Sequence, residues 1–140
     1  MPVVTTLSLA GQTEAALQHY QDVLDAEILF LMRFRHAPDQ SHTRPGMEDL
    51  IFHATFRVLD TVLMASDVGY ESPDSRPSFN GFSLLLQMPS ADRAERAFEG
   101  LSEEGQIVVP FAKSKFTSWY GVVEDRFGVS WKLNVAQRDD

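Results

Sequence analysis

The run Phe52-His53-Ala54-Thr55-Phe56-Arg57-Val58 carries a histidine, a threonine and an arginine at alternate positions. In a strand that spacing puts the three side chains on one face. His53 is the best catalytic candidate in the chain. Its imidazole could act as a general base, donate a hydrogen bond to a bound molecule or ligate a divalent ion. A structural histidine satisfied by a neighbouring strand or by water is the alternative. Lys132 could hold an anionic ligand group or pair with a carboxylate such as Glu124 or Asp67. Phe116, Trp119 and Tyr120 border a basic loop with Lys113 and Lys115, which suits an aromatic wall or ordinary edge-strand packing. His36, Asp39 and His42 read as residues of a polar loop, and His19 as a solvent-facing residue. The chain has no cysteine, which excludes thiolate metal sites, disulfides and cysteine nucleophiles. No Ser/His/Asp order and no phosphate loop stand out.

These residues need elements to position them. Val3–Leu9 reads as a strand. Thr13 reads as the N-cap of a helix carrying Ala16, Leu17, Tyr20, Val23 and Leu24 on one face. Residues 26–35 read as a second strand, and 36–49 as a long loop. Leu50–Leu59 alternates, with Phe52, Ala54, Phe56 and Val58 on one side and Ile51, His53, Thr55 and Arg57 on the other. Thr61–Ser66 returns as a strand, and 68–78, with two prolines and a glycine, is a linker. The plan then repeats. A strand over 82–88 precedes a helix from Ala91, capped by Pro89-Ser90, and three strands follow over 106–111, 118–124 and 129–135. Asp125-Arg126-Phe127-Gly128 joins the last two as a hairpin turn. At an offset of 78 residues, Thr5 matches Ser83, Leu7 matches Leu85 and Tyr20 matches Phe98. A duplicated unit of this kind packs its apolar face against its copy.

A chain of 140 residues with 44% hydrophobic and 23% charged residues suits one domain, 1–140. The formal net charge of −8 argues against a nucleic-acid partner and against an anionic membrane surface. No signal peptide or bilayer-length apolar run is visible, and the sequence reads as cytoplasmic.

Three stretches carry a resemblance: Phe52–Val58; Asn80-Gly81-Phe82-Ser83-Leu84-Leu85-Leu86; and Tyr120 to Asn134, which contains Asp125-Arg126-Phe127-Gly128-Val129-Ser130-Trp131. With Tyr20 and the repeated strand–helix–three-strand order, they make the chain similar to the vicinal oxygen chelate superfamily of glyoxalase I, extradiol dioxygenases and bleomycin resistance proteins. Its PhnB-like branch resembles the chain more closely. The resemblance implies an α+β fold of two βαβββ modules, 3–67 and 79–135, forming an open curved-sheet barrel with helices outside. It also implies a homodimer and a small-molecule ligand. Some relatives carry a ubiquinone-pathway methyltransferase label, for which this sequence offers no glycine-rich nucleoside loop.

Metal-using members hold a divalent ion from four strand positions, which fall here on Thr5, Met64 (Ala65 if the register slips by one), Ser83 and Lys132. Thr, Ser and Met are poor ligands alone, and a lysine puts positive charge where a dication would sit. The expectation is therefore no metal and no cofactor, with a ligand pocket drawn from Thr5, His53, Thr55, Met64, Ser83, Phe116, Trp119 and Lys132. Two other readings stay open: a divalent-metal-dependent lyase or dioxygenase using His53 with a shifted ligand set, and a resistance-type binder that sequesters without turnover.

Overall fold

The computed structural model describes residues 1–115 and 118–135. Its contacts fall into two compact units, Met1–Pro77 and Ser78–Asp140. The first unit contains β1 (Thr6–Ser8), α1 (Thr13–Leu24), β2 (Glu27–Arg33), a 3-10 turn (Phe34–His36), β3 (Ile51–Val58) and β4 (Thr61–Ser66). The second contains β5 (Leu84–Gln87), α2 (Ala91–Ser102), β6 (Gln106–Ala112), β7 (Trp119–Glu124) and β8 (Ser130–Val135). Each unit has one open four-stranded sheet, in the orders β1-β4-β3-β2 and β5-β8-β7-β6. The first strand of each runs parallel to the last, and the other pairs are antiparallel. The fold class is α+β, with the order strand, helix, three strands in both units.

Each helix covers one face of its own sheet. On α1, Ala16, Leu17 and Tyr20 are buried at helical spacing, and the Tyr20 ring stacks on Phe56 of β3 with centroids 6.3 Å apart. On α2, Ala94, Ala97, Phe98 and Leu101 form the buried stripe. Ser90 caps α2, its Oγ accepting from Arg93 N at 3.3 Å. Under α2 the sheet must make room for an aromatic ring. Gly121 of β7 does so: a Cβ there would lie 2.8 Å from Phe98 Cε2 and 3.0 Å from Phe111 Cα.

Two buried carboxylates tie the connections. Asp67, 1% exposed, follows β4. Its Oδ1 accepts from Gly11 N and Thr13 N, both at 2.9 Å, and its Oδ2 from Ile51 N at 2.7 Å. One side chain thus satisfies donors at the start of α1 and at the start of β3, where a negative charge also suits the helix N-terminus. Asp125, 3% exposed, shapes the β7–β8 turn, with Oδ1 accepting from Phe127 N and Val129 N and Oδ2 from the Trp131 indole at 2.9 Å. Gly128 closes that turn at φ 89.

Four expectations change. Thr13 is the first residue of α1 rather than its N-cap, and its Oγ1 is buried without a partner, because the Asp67 carboxylate takes the helix donors that a local hydroxyl would serve. His19 is buried at 7% exposure, since at i+3 from Ala16 it falls on the packed stripe. Ile51 is buried while Phe52 is exposed, the reverse of the simple alternation. A register irregularity between Met32 and Arg33 lies opposite this end of β3, and the Ile51 N–H is drawn to Asp67. Finally, the offset of 78 holds for the helices but not for the first strands. Leu7 is 0% exposed and Leu85 51% exposed. Leu9 N donates to Ser66 O as Met88 N donates to Asn134 O, so these strands correspond at 79, with one residue fewer between strand and helix in the second unit.

On the surface, Arg33 forms an ion pair with Glu14 in the first turn of α1. The hydrogen bond from Arg33 holds the Glu14 carboxyl below its ordinary value of 4.5. A folded-state value below the unfolded one means the pair stabilises above the unfolded value and loses that contribution as pH falls through the folded one. The stability difference between wild type and Glu14→Gln should be full at pH 7 and shrink below pH 4.5, as read from denaturant midpoints. Asp67→Ala strands three backbone donors and should lower unfolding free energy by about 3 kcal/mol or more in urea titration; a loss under about 1 kcal/mol would deny Asp67 this role. Gly121→Ala should cost about 1–3 kcal/mol, and Phe98→Leu in the same chain should recover part of it.

Candidate functional site

The side of each sheet away from its helix carries the polar chemistry. In the first sheet, Thr6 pairs with Met64, Met64 with Thr55, and Thr55 with Phe30, so these four form one row across β1, β4, β3 and β2. His53 pairs with Met32 in the neighbouring row. Its Nε2 lies 3.0 Å from Thr55 Oγ1, and its ring sits beside Phe30 with centroids 6.0 Å apart. Arg57, the third polar residue of β3, is held by Glu27 at 2.9 Å. The imidazole is therefore oriented by a hydroxyl and lies beside apolar side chains.

In the second sheet, Leu85 pairs with Lys132, Lys132 with Val122, and Val122 with Val109. Lys132 thus sits on an inner strand among aliphatic neighbours and forms no salt bridge among the described residues. Asp67 spends its carboxylate on backbone donors instead. Along the same face of β8, Ser130 Oγ lies 2.6 Å from Ser83 Oγ, and Asn134 pairs with Gln87 and Tyr120.

His53, Thr55 and Met64 share the helix-free face of the first sheet, and Ser83 and Lys132 share that of the second. Thr5 and Trp119 do not join them. Thr5 precedes β1, where its carbonyl accepts from Met64 N at 2.9 Å. Alternation from buried Leu7 leaves Thr6 as the residue beside Met64. Trp119 shares its face with Gly121 and Val123 on the helix side, where its ring stacks on Phe111 at 5.3 Å with Lys113 Nζ 5.9 Å from its centroid. Phe116 lies outside the described residues. Sequence reasoning missed Thr6, Phe30 and Leu85. The alternation of buried Leu7 and Leu9 with Thr6 and Ser8 could have found the first of them.

Within the first unit the helix-free face offers a divalent ion Thr6 and Met64 in register, and within the second Leu85 and Lys132. None of these is an imidazole or carboxylate, and one is a cation, so neither pair suits a hard or borderline metal. Among the described residues no three His, Asp or Glu side chains gather into a metal-holding group.

Residues 2–134 match the family described as 3-demethylubiquinone-9 3-methyltransferase. The protein YjdN of Escherichia coli K12 is 32% identical over 146 residues, covering 99% of this chain and 97% of that protein. A PhnB protein from Bacillus cereus, described under the same methyltransferase name, superposes with a TM-score of 0.79 at 26% identity, covering 97% of this chain and 100% of that one. A glyoxylase/bleomycin resistance protein/dioxygenase domain from Frankia sp. EAN1pec shares the fold at TM-score 0.60 and 15% identity, over 100% of this chain and 95% of that one. Full-length family coverage and the two strand–helix–three-strand units together place this chain in the 3-demethylubiquinone-9 3-methyltransferase-like family, the PhnB-like branch of the vicinal oxygen chelate superfamily.

Proposed function

We propose that the protein binds a small organic molecule on a helix-free sheet face and does so without a metal ion. The observation that carries this reading is Lys132, which stands in register between Leu85 and Val122 on the face of the second sheet. A lysine ammonium repels a dication and attracts an anion. His53, held by Thr55, supplies the one imidazole of the first sheet's face, as a hydrogen-bonding partner or base toward the ligand.

The methyltransferase activity in the family's description gains little support from these residues. A nucleoside methyl donor is commonly cradled at a glycine-rich turn leading into a helix. Here the turn before α1 carries a single glycine, and Asp67 fills the helix N-terminus with a negative charge. The turn before α2 is Pro89-Ser90, with the Ser90 side chain turned onto α2 as its cap.

Thermal melts of the full chain provide the test. After treatment with a chelator, added Mn²⁺, Ni²⁺ or Zn²⁺ at micromolar concentration should leave the melting temperature unchanged, in wild type and in His53→Ala alike. A rise of several degrees that is specific to one ion and lost in His53→Ala would overturn the proposal in favour of a metal site built on His53.

A further inference from the structure

We infer that the helix-free face of the second sheet binds a small amphiphilic carboxylate, with Lys132 as its cationic anchor and the exposed Leu85 and Val109 as the surface for its apolar body. The inference rests on the small-molecule reading above and adds the ligand's charge and shape.

Lys132 is unlike the chain's paired cations. Arg33, Arg35, Arg57 and Arg126 each sit against a carboxylate. With 20 acidic and 12 basic residues, carboxylates are in excess. Yet Lys132, on an inner strand, has an aliphatic side chain on either side of it in the sheet and no ion pair among the described residues. Sheet geometry puts those neighbours about 5 Å away across the strands. Leu85 and Val109 remain substantially exposed, at 51% and 40%, while Val122 between Lys132 and Val109 is buried. A cation set among accessible aliphatic carbons matches an anion attached to a hydrocarbon, because a fully hydrated anion would leave that surface in water.

The charge pattern favours a carboxylate over a phosphate. The site has one ammonium and, one step along the same strand face, the Ser83–Ser130 hydroxyl pair, whose oxygens lie 2.6 Å apart. Among the described residues it has no arginine fork, and α2 begins under its own Ser90 cap. Tight phosphate recognition draws on bidentate guanidinium groups or several convergent backbone N–H groups. A single lysine supported by hydroxyls balances one negative charge.

Calorimetric titration of the full chain with hexanoate and benzoate, against hexanamide, benzamide and inorganic phosphate, tests this. The carboxylates should bind at least tenfold tighter than their amides and than phosphate. Lys132→Met should abolish that preference, and Lys132→Arg, which keeps the charge, should retain most of it. Circular dichroism confirms that both variants are folded. Equal affinity for acid and amide would overturn the inference while leaving the small-molecule reading intact. Persistence of the preference in Lys132→Met, phosphate binding as tight as the carboxylates, or no binding by either carboxylate would also overturn it. Binding that appears only after a divalent ion is added would instead overturn the metal-free reading on which it rests.

Discussion

The first unit depends on one buried carboxylate. Asp67 gathers the Gly11, Thr13 and Ile51 N–H groups and so fixes the end of β4, the start of α1 and the start of β3 against one another. Burying a charge is costly unless hydrogen bonds replace its hydration, and three backbone donors do so here. The consequence reaches the chemistry. Ile51 lies two residues before His53, so the bond that starts β3 also sets where the imidazole enters the sheet. Asp125 plays a parallel part in the second unit by holding the turn that leads into β8 and the Trp131 indole. Lys132 is the next residue.

Each sheet is consequently divided. One face is closed by a helix, with Tyr20 on Phe56 in the first unit and Phe98 against Gly121 in the second. The other face keeps the side chains that the core does not need. On it the first unit presents an imidazole, hydroxyls and soft apolar groups, and the second presents an ammonium among aliphatic residues. The fold is shared with a glyoxylase/bleomycin resistance protein/dioxygenase domain, but chemistry follows the side chains at a site rather than the architecture that holds it. A lysine on that face attracts an anion and repels a cation.

Most of the architecture was legible in the sequence because it rests on periodicity and turn chemistry. The alternation of β3 past Ile51, the Asp125–Gly128 turn and the Ser90 cap all express local rules. What was not legible depended on long-range partners. Asp67 displaced Thr13 as the capping group from far along the chain, and no local pattern announces that. Trp119 looked like a pocket residue because of its basic neighbours, yet it stacks on Phe111, a packing choice made across two strands. Thr5 came from counting back from Tyr20 along the chain, and Ser83 from the repeat offset of 78. Alternation from buried Leu7 puts Thr6, not Thr5, beside Met64, and a single-residue slip of this kind exchanges the faces of a strand without affecting the fold.

The central claim is that a helix-free sheet face recognises an organic ligand without a metal ion. Elemental analysis of freshly purified protein tests it most directly. The account predicts any divalent metal far below one ion per chain, with wild type and His53→Ala indistinguishable. One ion per chain that survives dialysis and is lost in His53→Ala would contradict it.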